Sequence, residues 1–85
     1  MIMEKAKVYF TDMRTGYGGL SLPQKLAKLI KAAGIGNIDF NKKFAAIKIH
    51  FGEPGNVSYL RPNYAKAVAD VVKEFSGMPF LTDCN

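Results

Sequence analysis

The run Phe44-Ala45-Ala46-Ile47-Lys48-Ile49-His50-Phe51 decides how this chain is read. It is apolar on both faces until Lys48. A strand with that pattern belongs in a parallel sheet covered by helices on both sides. The chain then turns at Gly52, Pro54 and Gly55, and on the way exposes His50, its one histidine, and Glu53.

Upstream, residues 7–11 (Lys-Val-Tyr-Phe-Thr) are β-branched and aromatic and read as another strand. A glycine-rich loop follows, with Gly16, Gly18 and Gly19. Ser21 is placed to cap a helix, with Pro23 in the first turn and Gln24 three residues on. Leu22, Leu26, Leu29, Ile30 and Ala33 recur with a period near 3.6, which predicts a helix over 22–33 that Gly34 ends. Downstream, Arg61-Pro62 opens a second helix over 62–75. Its apolar face is Tyr64, Val68, Val71, Val72 and Phe75, and Gly77 follows it. Residues 79–82 read as a last strand, with Pro79 at the permitted first position.

The expected order is β-α-β-α-β, with strands over 7–11, 44–50 and 79–82. Strands alternating with helices predict an α/β fold, a mostly parallel three-stranded sheet in three layers, Rossmann-like in its half. No helix follows the last strand to cover it. The 85 residues are therefore read as a single partial domain, a fragment of a larger protein, with the remainder of its own polypeptide as first partner. The alternative is a minimal domain completed by self-association through an exposed sheet face.

Composition narrows the classes further. Hydrophobic residues make up 48% and charged residues 22% of the chain, which is ordinary for a globular protein. No apolar run approaches the roughly 18 residues needed to span a membrane. Glu4 and Lys5 interrupt any leader-like start. One cysteine, Cys84, cannot form an internal disulfide and fits a cytoplasmic setting. The net charge of +5 is read as a solvated lysine face, because Lys25, Lys28 and Lys31 fall on the polar side of the first helix. Without an arginine cluster or interleaved aromatics, a nucleic-acid partner is not expected.

In a parallel sheet the C-terminal strand ends share one edge, where ligands bind. The residues at and after the expected strand ends are Asp12 and Arg14, then His50 and Glu53 with Asn56, Ser58, Tyr59 and Arg61 behind them, then Thr82, Asp83, Cys84 and Asn85. The opposite edge receives turn residues only. His50, Glu53 and Asp83 are the candidate catalytic residues, and equally candidate ligands for a divalent metal. Asp12, Arg14, Asn56 and Arg61 are candidates for binding an anionic small molecule. Each has a plainer reading. His50 suits a hydrogen-bonded strand end, Glu53 an exposed turn, Asp83 a helix cap, and Asp12 with Arg14 a surface pair. The loop 12–21 also admits a nucleotide- or phosphate-binding reading without catalysis. Gly16-x-Gly18 stands in the right place for it, but Ser21 replaces the third glycine of the fingerprint.

The segments Val8-Tyr9-Phe10-Thr11-Asp12-Met13-Arg14, Ile47 through Asn56, Arg61-Pro62 and Phe80-Leu81-Thr82-Asp83-Cys84-Asn85 resemble a bacterial and archaeal family of uncharacterised iron–sulfur centre proteins, a domain-of-unknown-function family. The likeness spans essentially the whole chain but only the N-terminal part of that family's longer members. Many of those members carry a ferredoxin-like cysteine cluster further along. The resemblance implies an oxidoreductase-type parent with an iron–sulfur cluster. This segment alone holds no such cofactor, since one cysteine is too few. The family often has threonine where Cys84 stands, which puts a required role for that thiol in doubt.

Overall fold

The computed structural model describes residues 5–50, 52, 54, 55 and 57–83. Helix α1 (Leu22–Ala32) leads through a 3-10 turn (Ile35–Asn37) to strand β1 (Phe44–Lys48), helix α2 (Pro62–Glu74) and strand β2 (Met78–Thr82). The strands pair in parallel, Phe44 with Met78 through Lys48 with Thr82. The Ile49 N–H extends the ladder by one bond to the Thr82 carbonyl, at 2.9 Å.

The helix starts follow from side-chain chemistry. Ser21 Oγ accepts from the Gln24 N–H at 3.3 Å, and Gln24 Oε1 accepts from the Ser21 N–H at 2.8 Å. Two donors left open by the first turn are thus satisfied reciprocally. Arg61 precedes α2 in extended backbone (φ −69°, ψ 148°), the conformation that Pro62 imposes on its predecessor.

α2 is the centre of the molecule. It packs on α1 and on both strands, whereas α1 contacts neither strand. The buried core is Ala65, Ala67, Val71 and Val72, all on α2. Ala67 and Val71 line the seam with α1, and Ala65 lines a hollow with Ile49 and Leu81 of the strand side. The alanines let neighbouring backbones approach α2 from both directions. Tyr64, Val68 and Phe75 of the expected apolar face are only half-buried.

Two expectations are corrected here. The sheet has two strands, not three, so neither the β-α-β-α-β order nor the Rossmann-like half is present among the described residues. Residues 7–11 form no strand, and Val8 and Phe10 are 87% and 83% exposed. β-propensity becomes a strand only where backbone groups find a partner. Directly after this segment, Lys25 of α1 grips Asp12. Thr11 and Met13 border a hollow with Leu22 and Leu26 of the same helix. The chain is thereby anchored on α1, and α1 does not reach the sheet. The second correction concerns layering. Among the described residues, only one face of the sheet carries a helix. Ala45 and Ile47 of β1 are half-buried, while Phe44 is 78% and Phe80 47% exposed on the opposite face.

The end of α2 is a Schellman motif: the Ser76 N–H donates to the Lys73 carbonyl and the Gly77 N–H to the Val72 carbonyl. The left-handed position falls on Ser76 (φ 64°), not on the glycine. A serine there is strained where glycine is not. Ser76→Gly is therefore expected to stabilise the chain by about 1 kcal/mol, a rise of roughly 4–8 °C in Tm, read by thermal melting.

Candidate functional site

The parallel pairing brings two of the candidate residues together. β1 and β2 end at the same edge, and His50 and Asp83 lie just beyond those ends. His50 Nδ1 stands 3.5 Å from Asp83 Oδ2, with the imidazole 51% and the carboxylate 24% exposed. A carboxylate at Nδ1 favours the proton on that nitrogen and leaves Nε2 with its lone pair available. Such an imidazole can take or deliver a proton, or ligate a metal.

Glu53 and Asn56 lie outside the described residues, as does Cys84. Gly52, between His50 and Glu53, has φ +89°, and a Cβ there would fall 2.6 Å from the Tyr59 ring. The Tyr59 ring thus packs directly on the turn that follows His50, which puts one of the residues expected at this edge against the site.

Asp12 and Arg14 belong to another locality. Asp12 Oδ1 accepts from Lys25 Nζ at 2.7 Å and from the Arg14 N–H at 3.1 Å. The Arg14 side chain is 92% exposed, with its Nε 3.8 Å from Asp12 Oδ2. This is the surface-pair reading, with Lys25 as the stronger partner. Lys25 lies thirteen residues away in sequence, and its place on a polar helix stripe gave no hint of it. Asp12 is thus held by Lys25 and Arg14, whereas His50 is met by Asp83.

Lys25, donating to Asp12, holds that carboxyl below its ordinary value, helped by the Arg14 N–H. Lys43 does the same for Asp39, with the Asn41 N–H, and Lys66 for Asp70. Each carboxylate binds its proton less readily folded than unfolded. The unfolded state therefore takes up more protons as pH falls. The stabilisation is complete above the ordinary carboxylate range and is lost as pH drops through the lowered values, below about pH 4. Denaturant melts from neutral pH downward are expected to stay level to that point and then fall. In Lys25→Met the fall becomes shallower.

Arg61 borders a hollow of about 440 Å³ with Thr15, Ser21, Asn63 and Tyr64, where the starts of both helices meet. Most backbone donors that an anion would use there are already committed or missing. Gln24 N–H is taken by Ser21, Tyr64 N–H bonds the Arg61 carbonyl, and Pro23 and Pro62 have none. The hollow therefore favours anion binding less than the convergence of helix starts suggests.

A metal ion is tested by the donor set. Among the described residues no three His, Cys, Asp or Glu side chains cluster, and catalytic metal sites typically keep three protein ligands. An iron–sulfur cluster needs four thiolates or their equivalent, and the sequence has one cysteine. Neither group fits the described residues alone. Among them, no helix is long and apolar enough to cross a membrane. In comparisons with known proteins, no family model, curated protein or solved structure matches the chain.

Proposed function

We propose that this chain contributes a proton-carrying imidazole, His50 oriented by Asp83, to a site at the C-terminal edge of its parallel sheet. The observation that supports this is the 3.5 Å approach of Asp83 Oδ2 to His50 Nδ1, made from the ends of neighbouring strands. Both groups sit just beyond the ends of paired strands. The half-exposed imidazole offers Nε2 to a substrate, and the carboxylate fixes the orientation of the ring. The resemblance in sequence motifs suggests an oxidoreductase-type parent, in which a redox centre would be held by other residues of the polypeptide. This chain's part is then to move a proton and position a ligand.

The test is the tautomer. Nitrogen-15 spectra of the neutral imidazole are expected to show the proton on Nδ1 in the wild type. Asp83→Asn should remove that preference. A wild-type ring protonated on Nε2 would rule the reading out. His50→Ala should leave stability within about 0.5 kcal/mol, as expected for an exposed side chain, so loss of a function in that variant would not be loss of fold.

A further inference from the structure

β1 is open along one edge, and the phase of its ladder tells which backbone groups stand there. Ile49 N–H donates to the Thr82 carbonyl at 2.9 Å, and Met78 N–H to the Lys43 carbonyl at 2.8 Å. Combined with the register, these bonds turn Ala45, Ile47 and Ile49 toward β2. The N–H and C=O groups of Phe44, Ala46 and Lys48 therefore point away from it. Among the described residues, no backbone hydrogen bond outside the β1–β2 ladder reaches them. The outer edge of β2 is different. Its outward positions are Pro79 and Leu81, and Pro79 has no N–H to give. Proline on an edge is a block to further pairing. β1 has no such block.

We infer that the outer edge of β1 pairs, antiparallel, with the same edge of a second copy of this chain. The outward groups are disposed symmetrically about Ala46. A twofold axis at that residue sets every outward donor against an outward carbonyl, pairing Ala46 with Ala46 and Phe44 with Lys48. Lys48 then lies across from an aromatic ring, not from another Lys48, so no like charges oppose each other and its alkyl stem covers the ring. The surface beside this edge is apolar as well: Phe44 is 78% and Phe80 47% exposed on the open face of the sheet, area that a second copy can cover. The product is one continuous sheet in the order β2-β1-β1-β2, with Pro79 guarding both of its ends.

Sedimentation equilibrium of the whole chain from micromolar to millimolar concentration tests this. The expected mass is twice 9.4 kDa. Ala46→Pro deletes an outward donor and leaves the β1–β2 bonds intact. Ala46→Lys sets two ammonium groups across the axis and alters no backbone group. Both should sediment as monomers with unchanged helical circular dichroism. A wild type that stays monomeric throughout would overturn the proposal. So would a wild-type dimer that both variants retain.

Discussion

Val72→Asp is expected to abolish the cooperative fold at room temperature. Val72 is 2% exposed, in a core of four α2 residues. An aspartate there must bury an ionised carboxylate with no cation beside it, or be neutralised at a comparable cost. Uncompensated burial of a charge costs about 3–5 kcal/mol. A domain of this length has a total stability of roughly 4–13 kcal/mol, and four buried side chains place this chain at the low end. Val72→Ala is the contrast. It removes two methyl groups, costs about 2 kcal/mol and leaves a folded chain. Amide spectra should collapse to unfolded dispersion in the aspartate variant and remain dispersed in the alanine one. A cooperative melt of Val72→Asp near the wild-type temperature would show that this position is not dry.

Gly77→Ala is the second large effect. A Cβ on Gly77 would stand 2.6 Å from Val72 Cγ1, 3.0 Å from Phe40 Cβ and 3.2 Å from the Val72 carbonyl oxygen. Two of these neighbours are backbone or Cβ atoms that cannot rotate away. The overpacking is expected to cost about 1–3 kcal/mol. Because the shortest contact is with Val72, the two sites are coupled. In a Val72→Ala background the alanine at 77 meets one obstacle fewer, and its penalty should shrink by about 1 kcal/mol. Urea denaturation of the wild type, both single variants and the double variant measures that difference. Strict additivity would mean that the Val72 side chain does not press on a Cβ at position 77.

How far the sequence could be read depends on which signals are local. The helices were legible because their large apolar residues recur at helical spacing and because Ser21 and Pro62 carry start signals within a few positions. Ala65 and Ala67 were not legible as core, since a small side chain gives no hydrophobic signal until a second helix and a sheet close on it. Residues 7–11 misled because Val8, Tyr9 and Phe10 have strong strand propensity. Pairing depends on where the chain is carried, and the grip of Lys25 on Asp12 carries it to α1. The meeting of His50 and Asp83 could be anticipated because parallel neighbours end together whatever the rest of the sheet does. The Tyr59 ring over Gly52 could not, since it arises from the path of an irregular segment.

The central position of α2 also sets an order of events. β1 and β2 are parallel, so no hairpin can join them, and every residue between their paired ends, α2 included, must be folded over before Lys48 can meet Thr82. Such a pairing has to overcome a loop-closure entropy that a helix forms without. α2 is therefore expected to condense first, with the strands zipping against it afterwards. The central burial of α2 has an equilibrium counterpart: the amides of Val71 and Val72 are expected to exchange with solvent last, and those of the β1 edge well before them.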